Sequence, residues 1–263
     1  MELNNVVTGL VWLLLGVSGA AWLWAGGRAA QAIWPLSQAS FTWRYSWRRL
    51  GWLPLAALVA LLALYQFLAR TQADPIFTQP RLIESLVPLL AAGHAAFLFS
   101  PEDEPALELT LTLPRPLTWL LAERLALLLG GYGALALAGS LLAAGLSGEA
   151  LEVGLLRWSA PLVFLTAVAL CVTLIGRQAA LSVGVVGLLW FGLIYAGEGL
   201  VARWPFTWPL HLYLQPGAAH YALNRAWLVL GGAGLLLLAL TYLVRDPERL
   251  LLGGRGASVR SRR

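Results

Sequence analysis

Long apolar runs dominate this sequence and restrict what it can fold into. Seven segments are almost free of charged residues, at about 6–25, 50–69, 83–99, 119–146, 158–176, 179–200 and 226–244. A helix needs roughly 20 apolar residues to cross the hydrocarbon core of a bilayer, and most of these runs approach or exceed that length. The mean hydropathy is +0.72 and charged residues make up 12% of the chain, about half of what a soluble domain carries. The runs therefore predict an all-α, polytopic membrane bundle of six to seven transmembrane helices.

The types of residue that are missing exclude several kinds of chemistry. All 18 basic residues are Arg, so the sequence has no lysine for a phosphate-binding P-loop or a Schiff base. The sequence has one cysteine, Cys171, which lies inside an apolar run. Because a disulfide or a cysteine metal cluster needs at least two cysteines, neither can form within the chain. No motif indicates a catalytic site, a metal site, a bound cofactor or a nucleic-acid partner. We expect the chain not to be an enzyme.

The distribution of arginine predicts the orientation, because cytoplasmic loops of membrane proteins are enriched in basic residues. Placing the C-terminus in the cytoplasm and alternating backwards puts 13 of the 18 arginines on the inner side. The N-terminus is then outside, and the segment between the third and fourth spans is inside. The sequence thus predicts a multi-pass protein of the cytoplasmic membrane with a basic cytoplasmic tail at 245–263.

An aromatic and basic stretch, FTWRYSWRRLGW, occupies residues 41–52 between the first two spans. Trp and Tyr favour the headgroup level of the membrane, and arginines can reach lipid phosphates. We therefore predict an interfacial helix lying flat on the inner leaflet, although a basic, aromatic end of the second span remains an alternative. The residues that would contact lipid are Trp43, Arg44, Trp47, Arg48 and Arg49.

A second aromatic segment, at 201–225, contains several prolines and is too polar to span the membrane. We expect an outer loop whose aromatic side chains enter the interface.

The segment PEDEPALELTLTLPRP, residues 101–116, is acidic at its start and rich in leucine afterwards. Acidic side chains are costly in lipid, so Glu102, Asp103 and Glu104 are expected to turn the chain in the cytoplasm. Pro105 suits the first turn of a helix, and Pro114 ends it. The leucines alternate with period two, but a lone strand between two helices would have no partner. On a short helix they form two opposed rows, one of which needs a partner protein to cover it: Leu107 with Leu111, and Leu109 with Leu113.

This acidic turn followed by LELTLTLPRPLTWLLAERL resembles the cytoplasmic loop of type-2 ATP-binding-cassette (ABC) exporter permeases. The residues that match the family pattern are Leu107, Glu108, Leu109, Leu113, Pro114 and Arg115. The resemblance extends over residues 41–244, which it identifies as a six-span permease domain. Residues 1–40 would then be an additional N-terminal span and its linker.

The resemblance implies a function and a set of partners. The helix at 105–113, with the acidic turn at 102–104 before it and Arg115 after it, would be a coupling helix that docks into a separate nucleotide-binding subunit, where ATP and magnesium are bound and ATP is hydrolysed. The chain would be half of a transporter, paired with a second copy or with a related permease. The absence of lysine independently agrees with ATP chemistry in a partner chain.

Polar residues within the spans are the remaining candidates for a role in transport. His94 lies in the middle of the third span, where it could serve a transport pathway or, as we favour, form an interhelical hydrogen bond. Glu84 and Glu198 lie near span ends and are expected to reach water, with a pathway role for Glu198 as the alternative.

Two other classes of function remain open from the sequence. A non-transporting membrane subunit that scaffolds a larger complex would keep the spans without needing an exposed coupling helix. A membrane-embedded enzyme acting on lipid would need a catalytic constellation, which the sequence lacks.

Overall fold

The computed structural model describes residues 79–100, 117–147, 151–218 and 220–245. These residues form six α-helices and one 3₁₀-helix, with no strand among them. The α-helices are α1 (Gln79–Leu98), α2 (Leu117–Ser147), α3 (Leu151–Gly176), α4 (Ala179–Tyr195), α5 (Gly197–Arg203) and α6 (Tyr221–Arg245), and the 3₁₀-helix is Pro205–Leu210.

Three of these helices are long and apolar enough to span a membrane, over Leu121–Ala138, Val153–Gly176 and Tyr221–Tyr242. Two shorter apolar helices, Ile83–Leu98 and Ala179–Ile194, accompany them. The described part of the chain is therefore an all-helical bundle in which three helices have the length and composition to span a membrane, while the predicted total of six to seven spans stays a prediction. The expected spans at 6–25 and 50–69, the interfacial helix at 41–52 and the tail beyond residue 245 lie outside the described residues.

Helix α3 is the centre of the bundle, and α1, α2, α4 and α6 all pack against it. Small side chains allow α1 and α3 to approach closely, and Ala91, Ala95, Ala160 and Ala169 are fully buried. In the contact between α3 and α6, a Cβ atom built on Gly232 of α6 would lie 3.2 Å from the backbone Cα of Phe164 in α3. Close backbone approach is thus what joins the central helix to its main neighbours.

Side-chain hydrogen bonds between helices satisfy polar atoms inside the bundle. The indole N–H of Trp158 donates to the Ser140 hydroxyl at 3.0 Å, and that of Trp190 donates to the Ser85 carbonyl at 2.9 Å. The Ser182 hydroxyl donates to the Ala169 carbonyl at 2.8 Å. These bonds fix neighbouring helices in one register.

The helices alternate in direction, so the bundle has two distinct ends. At the Arg124 end, the Arg124 guanidinium donates to the Leu98 carbonyl at 3.2 Å, and the Ser100 hydroxyl lies 3.5 Å from the Arg177 carbonyl oxygen. At the Arg225 end, the N-terminal parts of α3 and α6 meet in a small apolar cluster that includes Leu156 and Tyr221. The 3₁₀-helix packs on α6 and α5 at this second end.

Three predicted boundaries are wrong. Helix α3 begins at Leu151, seven residues before the predicted start of its span at 158. The predicted span 179–200 is interrupted at Ala196, which separates α4 from the short helix α5. The predicted loop 201–225 contains the end of α5, the 3₁₀-helix and the first turn of α6, which begins at Tyr221 rather than at 226. An apolar run continues through both helices and hides the break, and Arg225 reads as a span boundary although it lies within a helix.

Candidate functional site

A fully buried arginine, Arg225, gathers four groups around its side chain at one end of the bundle. Its guanidinium donates to a Glu84 carboxylate oxygen at 2.9 Å and to the carbonyl oxygens of Leu212 at 2.6 Å and Leu214 at 3.2 Å. It also lies over the Tyr221 ring, 4.7 Å from the ring centroid. Arginine suits this position because its planar guanidinium presents several donors in fixed directions.

Leu212 and Leu214 belong to the segment between α5 and α6, and the residue before Arg225, Asn224, binds an earlier part of that segment. Its side-chain amide donates to the carbonyl oxygens of Trp208, at 2.8 Å, and Pro209, at 3.1 Å. Asn224 and Arg225 are adjacent in the first turn of α6 and both are fully buried. Two consecutive side chains therefore hold four loop carbonyls and fix the loop on the start of the helix.

Glycine at 197 allows the loop to approach α5. A Cβ atom at Gly197 would lie 2.9 Å from Nε2 of His211, closer than a Cβ atom tolerates. His211 is buried, and its Nδ1 accepts a hydrogen bond from the Tyr213 backbone N–H at 3.2 Å. The imidazole is thus a structural part of the loop, and no group of three metal-binding side chains occurs among the described residues.

The expectation that Glu84 reaches water is wrong, because only 6% of its surface is exposed and it pairs with Arg225. A buried charge is tolerated only when it is paired and hydrogen-bonded, and α6 supplies the opposite charge. Burial raises the pKa of the nearby Tyr213 phenol, the Glu84 charge raises it further, and Arg225 lowers it. The phenol is therefore a neutral member of the cluster.

His94 lies where α1 faces α2. Its Nδ1 is 3.4 Å from the Tyr132 hydroxyl, and the two rings meet edge to face with centroids 5.9 Å apart. This geometry agrees with the favoured interhelical hydrogen bond. A transport role for His94 stays a prediction.

Glu198 falls in the first turn of α5, directly after the break at Ala196. Its side chain lies outside the described part of the structure, so the pathway role predicted as an alternative is not tested. The helix places this residue at the Arg225 end of the bundle.

The residues of the predicted coupling helix lie outside the described residues. The two helices that precede and follow it in the sequence are described. Helix α1 ends at Leu98 and α2 begins at Leu117, and the Arg124 contact to the Leu98 carbonyl joins the two. The two helix ends that border residues 101–116 therefore both lie at the Arg124 end. The α3–α4 turn lies at the same end, with Arg177 in a left-handed conformation at φ 61°.

Comparison of the chain with protein-family models, with curated proteins and with solved structures finds no match in any of the three.

The Arg225 cluster was not predicted from the sequence. Arg225 is one of the five arginines assigned to the outer side, and the predicted loop 201–225 ends on it. A signal was present, since Asn224 and Arg225 directly precede an apolar run and Glu84 stands at the start of another. Two opposite charges at equivalent depths of a helical bundle are candidates for a buried pair.

Proposed function

We propose that this chain is the transmembrane subunit of an ATP-driven ABC exporter of the cytoplasmic membrane. ATP and magnesium bind in a separate nucleotide-binding subunit, and a second permease, identical or related, completes the transporter. The observation that carries this proposal is the acidic, leucine-rich segment 102–115, whose pattern resembles the coupling helix of type-2 exporter permeases.

The packing of the two helices that border that segment supports the proposal. Residues 101–116 connect α1 and α2, and both helices pack against the central helix α3. A force applied to the segment by closing ATPase subunits would act on two helices at once. Because α3 contacts all the long helices, their displacement would reach the remainder of the bundle.

The distribution of charge supports the proposed orientation, with the Arg124 end in the cytoplasm. Arg124 and Arg177 lie at that end. Of the outer arginines, Arg225 is fully buried and paired with Glu84, so it is not available as a charge facing the aqueous phase. Arg124, assigned to the inner side, is buried as well, so setting aside both buried arginines leaves a sequence count of twelve inner to four outer arginines.

Release of the ATPase subunit tests the proposal. The double variant Leu109→Arg with Leu113→Arg places two charges on one leucine row of the coupling helix, which should abolish co-purification of the proposed nucleotide-binding subunit. Charged side chains in an apolar docking cleft cost several kcal/mol each when they are left unpaired. Membrane insertion should be unchanged, because the segment is proposed to lie in the cytoplasm.

A matched control is Leu251→Arg with Leu252→Arg in the basic tail, which should keep the ATPase bound. If the ATPase still co-purifies with the coupling-helix variant, the segment does not dock it. If no ATPase co-purifies with the unaltered chain, the alternative of a non-transporting scaffold subunit is favoured.

A further inference from the structure

Helices α1 and α6 lie on the same central helix and have few close contacts with each other. Near the starts of the two helices, however, an ion pair joins them across 141 positions of sequence, from Glu84 to Arg225. The pair lies inside the protein, with Arg225 fully buried. The connection between the two helices at this end thus depends on a charged contact rather than on extensive apolar packing.

The Arg225 guanidinium donates hydrogen bonds to two parts of the protein, the loop before α6 and helix α1. The nitrogen Nη1 binds the Leu212 carbonyl, and Nη2 binds both the Leu214 carbonyl and Glu84. With Asn224 holding Trp208 and Pro209, the loop and the start of α6 form one unit. Glu84 belongs to the other part, α1, so the carboxylate–guanidinium bond is where the two parts can separate.

We propose that the Glu84–Arg225 ion pair is a latch that holds α1 against α6 and its preceding loop, and so keeps the Arg225 end of the bundle closed. Separation of α1 from α6 at this end requires the pair to break. A buried ion pair gives two discrete states rather than a gradual opening, because each charge is costly once its partner has gone. In the exporter proposed above this end faces away from the ATPase, so the latch would close the exit side; that assignment alone rests on the proposed function.

Hydrogen–deuterium exchange of the purified permease, without any ATPase, tests the latch. Glu84→Gln removes the carboxylate charge and leaves Arg225 with its loop carbonyls. Exchange in residues 83–90 should rise at least about tenfold, because the loss of one partner of a buried pair is strongly destabilising locally. Residues 205–214 should keep most of their protection, and residues 92–100 at the Arg124 end should be unchanged.

The control is Arg203→Gln, which removes an exposed arginine at the same end and should change none of these segments. Combining Glu84→Gln with Arg225→Gln completes a double-mutant cycle. The latch predicts that Glu84→Gln adds little to the exchange of residues 83–90 once Arg225→Gln is present, since coupled residues are not additive.

Exchange that is unchanged in Glu84→Gln, or that rises equally at both ends, overturns the proposal, because the pair would then have no local role. If Glu84→Gln does not fold, the variant Glu84→Ala with Arg225→Gln removes both charges, leaves no lone buried charge and adds no apolar contact in place of the pair. It should fold with raised exchange in residues 83–90, and unchanged exchange in that segment would likewise overturn the latch. The result is independent of whether an ATPase binds, so failure of the latch and failure of the exporter proposal are distinguishable.

Discussion

Gly197 and Arg225 illustrate how single residues organise the Arg225 end. Gly197 is required by space, since the His211 ring occupies the position of the missing side chain. Arg225 is required by charge and by its number of donors, because it serves Glu84 and two loop carbonyls together. Neither requirement can be derived from the sequence, because both depend on which loop carbonyls and rings reach the start of α6.

A substitution at Gly197 tests the packing at this scale. Gly197→Ala should destabilise the protein by about 1–3 kcal/mol, because the new methyl group would push His211 out of a buried position. Gly199→Ala is the matched control, since nothing lies within 4 Å of a Cβ atom there. Thermal unfolding in detergent measures both, and equal midpoints for the two variants would show that the loop adapts to the methyl group.

At the scale of the helices, apolar runs predicted the positions of α1, α2, α3, α4 and α6, because a membrane-spanning helix must be apolar over most of its length. The break at Ala196 was missed, since apolar and small residues continue across it and no proline stands there. The side-chain contacts between helices cannot be predicted from the sequence either. Residues that touch across helices, such as Trp190 and Ser85, are 105 positions apart in sequence.

The contact between α6 and α3 gives a prediction for helix packing. Gly232→Ala should weaken it, because the added Cβ would lie 3.0 Å from Val163 and 3.2 Å from the backbone of Phe164, which cannot move alone. We expect a loss of about 1–3 kcal/mol in the free energy of unfolding. Gly234→Ala meets nothing within 4 Å and should be neutral or slightly stabilising, since alanine favours helices by up to about 1 kcal/mol over glycine. Equal unfolding curves for the two variants would mean that α6 does not approach α3 this closely.

For the whole molecule, the described helices form a bundle with a buried latch at one end and the attachment of an acidic segment at the other. Local composition predicts an all-helical class with helices of membrane-spanning length, which the described residues confirm, whereas the coupling role of the acidic segment stays a prediction. The sequence does not show that the helix ends bordering this segment lie together, which depends on the Arg124 contact to the Leu98 carbonyl. We propose that closure of the ATPase subunits displaces residues 101–116. The Glu84–Arg225 ion pair at the opposite end would then resist the separation of α1 from α6.

The central claim is that the acidic turn couples this chain to an ATPase, and ATP turnover of the reconstituted complex tests it most directly. Replacing Glu102, Asp103 and Glu104 together by Ala should lower the ATP turnover of the complex at least about tenfold, since charged contacts across an interface are worth several kcal/mol when one side is removed. The unfolding temperature of the isolated permease should be unchanged, because these acids are proposed to be solvated there. The isolated chain, which has no lysine to hold phosphates, should hydrolyse no ATP at all. Undiminished turnover in the triple variant, or an equal fall in turnover and in the unfolding temperature of the permease, would contradict the account.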